Sequence, residues 1–558
     1  MPNLIDYPRP QLVRDSYLSL NGEWEYAITK SPAIPSSFDG IIHVPYSPET
    51  PLSGVNKIVH PDEWLFYKKE LEMPEGFIKD KLILHFGAVD QIAEVYLNDS
   101  LVGTHVGGFL PFSFDIKPYL KEKNILIVKV KDYSDTSYYS RGKQRIKRGG
   151  IWYSPQSGIY MPVWMESVSN DYIKSIRITP DIDKKIIKLL VKTTSKKVEV
   201  FVEGTKRIIS SNKEIDIQIK DLHLWSPEDP YLYPLEIKTE NDRVTSYFAM
   251  RKISLKKDKN GHQRIALNNK PYFIKGVLDQ GYYQNGFLTP ETDEDYIKDI
   301  MLLKDLGFNC SRKHIKIESL RWYYHCDRLG LLVLQDFVNG GRKYNLPTIS
   351  LPLITGIHHK DNHYRRFGRQ DKQGRLEAEK EFKDTIDLLY NSPSIVLWTI
   401  FNEGWGQFDA KRIYEELSKI DKSRLFDHAS GWHDQGVSDT KSLHVYFKRV
   451  KMPKNKQIKD RAVILSEAGG YALRIEGHTF NDTNFGYKKM KDQTALENEY
   501  ESFINEDIKK NIPLGLSAFI YTQLSDVEDE LNGFITYDRQ VLKVGKERLK
   551  AINNSIKM

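Results

Sequence analysis

The sequence predicts a multi-domain chain in which two β-sandwiches precede a (β/α)₈ TIM barrel. Its 558 residues exceed the usual size of one domain. Up to about residue 251, short strand patterns follow one another, whereas from residue 252 onward apolar strand-like runs alternate with helical patterns. The first pattern is typical of sandwiches, and the second is typical of a parallel barrel.

The two sandwiches are predicted at residues 1–166 and 167–251. In the first, no ten-residue helical pattern interrupts the strands, which include Leu82–Asp90, Ala93–His105 and Ile125–Val130. In the second, short segments alternate polar and apolar residues at regular spacing, as in an immunoglobulin-like sandwich. It has no clustered His, Cys or acidic residues, so we assign it no chemistry.

A basic, glycine-rich loop at Arg141–Tyr160 ends the first segment and contains Trp152 and Tyr153. Interleaved basic and aromatic residues are compatible with a phosphate or nucleic-acid site. A solvated loop, or one that lines the pocket of a neighbouring domain, is the favoured interpretation.

The barrel is predicted over residues 252–558. We expect its eight strands at Tyr272–Leu278, Phe308–His314, Leu331–Phe337, Ile395–Glu403, Arg424–Ser430, Ser442–Phe447, Ala462–Ala468 and Leu516–Gln523. Helical patterns between them include Asp293–Leu306, Glu318–Leu329, Leu376–Tyr390, Ala410–Ile420 and Ala495–Lys510. The links between strands five and six and between strands six and seven are too short for full-length helices.

The fourth strand is the centre of the prediction. Ile395–Phe401 is almost continuously apolar, as in a strand buried on both faces, and Asn402 and Glu403 follow it. Polar groups in such a place are costly unless they have a function. The C-terminal ends of the strands are where TIM barrels build active sites.

Glu467, at the end of strand seven, is a second carboxylate in an equivalent place. Two facing carboxylates near aromatic side chains suit glycoside hydrolysis, in which retaining enzymes hold them about 5–5.5 Å apart. We expect Arg312 and Tyr446 to keep Glu467 ionised, and Glu403 to have a raised pKa. The other candidate sugar contacts are Asn402 for a 2-hydroxyl, Trp432 or Tyr521 for stacking, and His444, Asp279 and Gln280.

Several segments resemble glycoside hydrolase family 2. NSPSIVLWTIFNEGWGQFD resembles the family's acid/base segment and ILSEAGG its nucleophile segment. VPYSPETPLSG and VGGFLPFSFDI are similar to its sugar-binding-type jelly-roll sandwich. Further similar segments are YPRPQLVRDSYLSLNGEWEYAI, LWSPEDPYLYPLEI with FAMRKI, GFNCSRKHIKIESLRWYYHCDRLGLLVLQD and NGFITYDR. The resemblance implies a retaining exo-β-glycosidase with Glu403 as acid/base, Glu467 as nucleophile, and Arg312 and Tyr446 holding the nucleophile.

The chain also departs from the family's common patterns. Gln280 stands where a His is usual, so Asp279 is expected to take its sugar contact, and Tyr521 replaces a frequent Trp. No Asn-x-Lys motif, which grips the carboxylate of glucuronides, precedes NGFITYDR. The missing motif weakens the case for a β-glucuronidase. β-Galactosidase is the first expectation because it is the family's commonest activity. The alternatives are β-glucuronidase and β-mannosidase. The basic link at residues 338–375 is compatible with β-glucuronidase.

Other functional classes are less compatible with the sequence. Net charge is +7 from 82 basic and 75 acidic residues, a mixed surface that does not indicate nucleic-acid binding. We expect no membrane span and no cofactor or metal. The opening MPNLIDYPRPQL lacks a secretory pattern, which predicts a cytoplasmic protein, and a homo-oligomer is possible. Two competing hypotheses are a non-catalytic carbohydrate-binding protein and a metal-dependent hydrolase using His358, His359 and His363.

Overall fold

The N-terminal region is a two-sheet β-sandwich. The computed structural model describes residues 7–483 and 485–558, so residues 1–6, on which part of the cytoplasmic prediction rests, lie outside it. One sheet contains, in spatial order, Tyr17–Ser19, Val163–Val168, Lys81–Phe86 and Phe112–Asp115. The other contains Gly40–Val44, Gly22–Thr29, Trp64–Glu70, Ile125–Lys131, Ile92–Leu97 and Ser100–Val106. Alternate apolar residues of both sheets, such as Val95 and Val128, form the core between them.

The second region is a smaller antiparallel sandwich with its own core. Its sheets are Ser175–Asp181, Ile186–Lys192 and Ile215–Gln218 on one side, and Thr205–Ser210, Lys197–Val202, Tyr233–Lys238 and Arg243–Phe248 on the other. Val198, Val200 and Val202 point into this core. The period-two pattern therefore predicted these strands correctly.

Eight parallel strands form the barrel, as predicted. They are β1 Ile274–Asp279, β2 Cys310–Lys313, β3 Leu332–Asp336, β4 Ile395–Thr399, β5 Leu425–Asp427, β6 Thr440–Val445, β7 Ala462–Gly469 and β8 Leu516–Thr522. Their hydrogen-bonded order is β5-β4-β3-β2-β1-β8-β7-β6. Because β5 and β6 end this series, the ring is nearly closed.

Helices cover the outside of the barrel. The longer ones are α1 Asp293–Asp305, α2 Leu320–Leu329, α3 Lys372–Leu389, α4 Ala410–Ile420, α5 Gln493–Phe503 and α6 Lys546–Asn554. After α5 the chain continues as a wider helical turn, Ile504–Lys509. The thin links are as expected: between β6 and β7 the helix is only Asn455–Ile458. The long link after β3 contains Leu346–Ser350, Pro352–Thr355 and the 3₁₀ turn Tyr364–Phe367.

Strand alternation separates an inner and an outer core. On β8, Ala518 and Ile520 join the apolar cluster inside the barrel, whereas Phe519 and Tyr521 join the cluster between barrel and helices. The inner cluster also receives residues of an antiparallel hairpin, Ile253–Lys257 with Gln263–Leu267, which continues into Lys270–Pro271. The apolar residues thus fill the N-terminal end of the barrel, and polar side chains lie at the C-terminal ends of the strands.

Among the described residues, no helix combines the length and apolar character needed to cross a membrane.

Candidate active site

Glu403 lies in the turn that follows β4. Its φ of 51° is in the left-handed region, where residues other than glycine are uncommon and which is often associated with functional sites. The turn is tied to the end of β5, because the Glu403 backbone N–H donates to the Ser430 carbonyl at 3.0 Å. Glu403 is therefore fixed by backbone contacts at the C-terminal mouth of the barrel.

Glu467 reaches the same mouth through a shift in strand register. Between Leu465 and Ala468, β7 has one residue more than β8, and it has one more than β6 at the same place. Regular alternation from the inward-facing Ile464 would turn the side chain of residue 467 toward the helices. The extra residue is a β-bulge, a feature that re-aims side chains next to active sites, and here it directs Glu467 into the barrel.

The two carboxylates lie close together with His444 between them. One carboxylate oxygen from each and a ring nitrogen of His444 lie within 4.8 Å of one another. Only 9% of Glu403 and 4% of Glu467 is exposed. An upper limit of 4.8 Å between the nearest carboxylate oxygens is compatible with the roughly 5–5.5 Å of retaining glycosidases and lies below the roughly 6.5–9.5 Å of inverting ones.

Glu467 is hydrogen-bonded to Arg312 and Tyr446, the two residues expected to hold it. Arg312 Nη1 donates to Oε1 at 3.0 Å, and the Tyr446 hydroxyl donates to Oε2. Burial alone would raise the pKa of Glu467, but His444, Arg312, His314 and the Tyr446 hydrogen bond outweigh it and lower the pKa to about 2. This carboxylate is ionised at neutral pH.

Glu403 has the opposite electrostatic environment. Burial raises its pKa, and the negative charge of Glu467 adds to the effect, although a hydrogen bond from His444 opposes it. His444 Nδ1 lies 2.8 Å from Glu403 Oε1, and its Nε2 lies 3.7 Å from Glu467 Oε1. The pair therefore combines one carboxyl that favours protonation with one that favours ionisation.

Asn402 shares the guanidinium that holds Glu467. Its Oδ1 accepts from Arg312 Nη2 at 2.8 Å, while Arg312 Nε donates to Asp336 Oδ1 at 3.0 Å. The Nδ2 of Asn402 is buried and has no hydrogen-bond partner in the part of the chain that the structure describes. A buried donor without a partner is costly, so this N–H is available to a ligand oxygen.

Sequence models of one family match almost the whole chain. The model described as glycosyl hydrolases family 2, TIM barrel domain, matches residues 259–556, that of its sugar binding domain matches 17–165, and a third, described simply as glycosyl hydrolases family 2, matches 171–251. The chain belongs to glycosyl hydrolases family 2. It is therefore a glycoside hydrolase with the family's architecture, and the resemblance seen in the motifs is confirmed.

Curated relatives of this family 2 enzyme have two different names. A beta-glucuronidase of Streptococcus agalactiae is 26% identical over 449 residues, which cover 75% of this chain and 71% of the relative. A beta-galactosidase of Thermoanaerobacter pseudethanolicus is 28% identical over 392 residues, which cover 64% of this chain and 47% of the relative. The chain thus matches less than half of the length of that galactosidase.

Solved structures show that the fold is shared over the full length. A beta-D-glucuronidase of Dictyoglomus thermophilum has a TM-score of 0.76 at 19% identity, and the match covers 99% of each chain. A beta-galacturonidase of family 2 from Eisenbergiella tayi has a TM-score of 0.71 at 18% identity, covering 99% of this chain and 100% of the other. At these identities the likeness establishes the architecture.

Of the two residues expected to replace the usual His of family 2, only Gln280 lies on the same side of the strands as Arg312 and His314. It borders a small cleft together with Lys143 and His314, and its Nε2 donates to Gln523 Oε1 at 2.8 Å. Asp279 instead accepts from Lys313 Nζ at 2.6 Å, on the side of the sheet that faces α2. Alternation along β1 and β2 explains this placement, which does not bring Asp279 to the carboxylate pair.

Trp432 and Tyr521, the two expected stacking residues, have different positions. Trp432 Nε1 donates to the Glu403 carbonyl at 2.9 Å, and its ring contacts His444 with centroids 5.5 Å apart. Tyr521 is fully buried and stacks on Phe534 at 4.4 Å. The expectation that Tyr521 stacks on a sugar is corrected, because its ring lies in the outer core; Trp432 as a stacking surface stays a prediction.

The basic loop of the first sandwich completes the barrel mouth. Tyr153 donates to Glu530 Oε2 at 2.5 Å, Arg148 pairs with Asp529 at 2.9 Å, and the Arg141 backbone N–H donates to the Asn339 carbonyl at 3.0 Å. These contacts place Lys143 at the pocket. The loop at Arg141–Tyr160 therefore packs against the mouth of the barrel domain. This agrees with the favoured interpretation that it lines the pocket of a neighbouring domain.

Three pocket residues, Lys143, Trp405 and Tyr487, were not predicted as site residues. Tyr487 stacks on Tyr446 with centroids 3.9 Å apart, and Trp405 lies edge-on to His314 at 6.2 Å. Trp405 could have been found by its position just after Glu403. Lys143 and Tyr487 come from loops remote in sequence, and no local pattern marks them.

The histidines of the 338–375 link do not form a metal-ligand group with one another in the described structure. His358 Nδ1 accepts from the His433 backbone N–H at 2.7 Å, and His433 Nδ1 accepts from the His359 backbone at 3.0 Å. The described residues with metal-ligand spacing are Glu403, His444 and Glu467. Their donor atoms already bond one another, Arg312 and Tyr446, and the Arg312 cation disfavours a metal ion there.

Proposed function

We propose that this enzyme is a retaining exo-β-glycosidase that releases a terminal β-linked sugar by double displacement. The observation that carries the proposal is the close carboxylate pair with oppositely shifted pKa values. Such a pair supplies an ionised nucleophile and a protonated acid at the same pH. The non-catalytic binding hypothesis gives no reason for this electrostatic difference.

In the first step, an oxygen of Glu467 attacks the anomeric carbon while Glu403 donates its proton to the leaving glycosidic oxygen. The C–O bond to the aglycon breaks, and a covalent glycosyl ester of Glu467 forms. Arg312 and Tyr446 hold the attacking carboxylate, and the free Nδ2–H of Asn402 binds the sugar 2-hydroxyl, a contact that strengthens in the transition state.

In the second step, Glu403, now ionised, takes a proton from water, and the resulting hydroxide oxygen bonds to the anomeric carbon. The ester bond to Glu467 breaks, which restores both carboxyl groups and leaves the β-configured sugar. The burial that favours protonation of Glu403 also makes its carboxylate a stronger base in this step.

The sugar is a β-galactoside or a β-uronide. The motif-based expectation favoured β-galactosides, and a curated relative named beta-galactosidase supports it. Relatives named beta-glucuronidase and beta-galacturonidase support a β-uronide. The match with this chain covers a larger share of their length than it does of the galactosidase's. The remaining alternative, a β-mannoside, is tested in the same panel of substrates as the other two.

A panel of 4-nitrophenyl β-glycosides tests the proposal, together with NMR of the first-formed sugar. We expect turnover of at least one member and initial release of the β-anomer, undiminished in excess chelator. No turnover of any member, or initial release of the α-anomer, would contradict the proposal. Loss of activity in chelator would instead support a metal-dependent hydrolase.

A further inference from the structure

Lys143 is a buried cation at the mouth of the barrel. Only 6% of it is exposed, and its backbone carbonyl accepts from the Tyr153 N–H at 3.0 Å. Its Nζ lies 5.4 Å from the ring centroid of Tyr153 and 5.6 Å from that of Trp405. The first sandwich thus delivers a positive charge between two aromatic rings of the pocket.

This charge has no anionic partner within residues 7–483 and 485–558, where no hydrogen bond or ion pair of its Nζ is found. Three neighbouring cations are engaged with carboxylates. Arg312 pairs with Glu467 and Asp336, Lys316 pairs with Glu318 at 2.7 Å, and Arg148 pairs with Asp529 at 2.9 Å. Arg141, which borders the same cleft as Lys143, donates to the Gly341 carbonyl and lies over the ring of Tyr344, but it has no ion pair among the described residues. A buried cation without an anion is costly, and the cation–π contacts recover only part of that cost.

The surroundings of Lys143 lie beside the carboxylate pair. It borders the same cleft as Gln280 and His314, and its charge is close enough to Glu403 and His314 to act on the pKa of both. His314 does not supply a second cation, because burial lowers its pKa to about 4. A ligand anion entering this part of the barrel mouth would meet the Nζ of Lys143, which no side chain of the described residues engages in a hydrogen bond or ion pair, with Arg141 as the next cation on the same cleft.

We propose that Lys143 binds the carboxylate of a β-linked uronic acid, so that the enzyme prefers β-uronides to neutral β-glycosides. This inference rests on the proposed function. It assigns the recognition of the acidic group to a loop of the first sandwich, in a chain that has no Asn-x-Lys motif before NGFITYDR. A charge-assisted hydrogen bond to a carboxylate is the strong kind.

A competing explanation is that Lys143 acts only on Glu403. A nearby positive charge favours the ionised form of a carboxyl, and such an effect would apply to every substrate regardless of its sugar. A carboxylate contact applies only to uronides. The two explanations therefore differ in substrate selectivity.

The experiment compares substrates that differ only at C6. These are 4-nitrophenyl β-D-glucuronide against the β-D-glucoside, and the β-D-galacturonide against the β-D-galactoside. The variants are Lys143→Met, which keeps the stem without the charge, and Lys143→Arg, which keeps the charge. Lys147→Met is the matched control, because Lys147 is an exposed lysine of the same loop.

We expect the wild-type enzyme to favour at least one uronide over its neutral counterpart. Lys143→Met should lower the uronide-to-neutral ratio of kcat/KM roughly 10- to 100-fold, the size of one charge-assisted hydrogen bond. Lys143→Arg should recover part of the ratio, and Lys147→Met should not change it. In the wild type, the free uronic acid should inhibit competitively at lower concentration than the matching neutral sugar.

Three results would overturn the inference. Wild-type turnover of neutral glycosides alone would do so while leaving the proposed function intact, and no turnover of any substrate would overturn both. An equal loss on both members of each pair in Lys143→Met, with a shifted alkaline limb of the pH profile, would assign Lys143 to Glu403 alone. If that variant does not fold, the inhibition by the free sugars in the wild type decides the question.

Discussion

Strands β7 and β8 are neighbours in the barrel, but they present their terminal side chains to opposite sides. Leu465 on β7 and Phe519 on β8 are paired in register, and both face the helices. Two residues further along β8, Tyr521 faces the helices again. On β7 three residues are needed to reach Ala468, the next residue on that side, and Glu467 lies within the extra step.

One inserted residue therefore separates a site residue from a core residue. In a regular strand, the side chain that follows an outward-facing one by two positions is again outward, and Tyr521 packs between Phe534 and Tyr500. The bulge on β7 breaks this alternation between Leu465 and Ala468, and Glu467 therefore faces the mouth of the barrel. We therefore expect substitutions at the β7 bulge to lower catalytic activity strongly, and substitutions of the neighbouring residues on β8 to change it little.

The largest effect is expected for Glu467→Ala. This change removes the proposed nucleophile, so kcat on any accepted 4-nitrophenyl β-glycoside should fall by more than about 10⁴-fold. The measurement is kcat at saturating substrate, with circular dichroism to establish that the variant is folded.

Azide provides the control for this assignment. In Glu467→Ala, azide takes the nucleophile's place in a single displacement, so the product should be the α-linked glycosyl azide. A β-linked product would reverse the roles of the two carboxylates. A folded Glu467→Ala protein with the wild-type rate would remove Glu467 from the mechanism.

Glu403→Ala should give the next largest effect, and one that depends on the leaving group. Loss of a general acid costs about 10²- to 10⁴-fold on poor leaving groups, whereas a 2,4-dinitrophenyl glycoside should form the glycosyl ester with little loss. The later water attack then limits turnover, and azide should accelerate it and give the β-linked product. An equal loss for all leaving groups would contradict an acid role.

The pH profile follows from the two pKa shifts. Because Glu467 must be ionised and its pKa is lowered to about 2, kcat/KM should remain high well below pH 4. Because Glu403 must be protonated and burial raises its pKa, the alkaline limb should lie above the usual carboxyl range. The alkaline limb should disappear in Glu403→Ala, and its persistence would assign the limb to another group.

Tyr446→Phe should have an intermediate effect. It removes one hydrogen bond to the ionised Glu467, worth about 1.5–3 kcal/mol, so kcat/KM should fall roughly 10- to 100-fold. The pKa of Glu467 should rise without this donor, which moves the acidic limb of the profile to higher pH. A rate loss without that movement would indicate that Tyr446 contacts the substrate instead.

How far the sequence could predict this molecule depends on the range of the interactions. The strands of β4 and β8 follow from local apolar runs, and the motifs around Glu403 and Glu467 point to their chemistry. The bulge at Ser466–Glu467 is visible only against neighbouring strands, and Lys143 reaches the pocket only because two domains pack together. Tyr521 follows Ile520 directly on β8, so it faces the helices once Ile520 is known to face the inner core; the apolar run alone does not show which of the two points inward.

The smallest effect is expected for Tyr521→Phe, which is the matched counterpart of Tyr446→Phe. The Tyr521 hydroxyl is buried and has no partner in hydrogen-bond geometry among the described residues, so its removal should leave the free energy of unfolding unchanged or raise it by up to about 1 kcal/mol. The ring should matter more: Tyr521→Ala should lower the free energy of unfolding by about 3–5 kcal/mol. Denaturant unfolding and kcat/KM of each folded variant measure the two quantities. A tenfold loss of kcat/KM in Tyr521→Phe would mean that this side chain reaches the sugar, and that β8 does not keep its regular alternation when substrate binds.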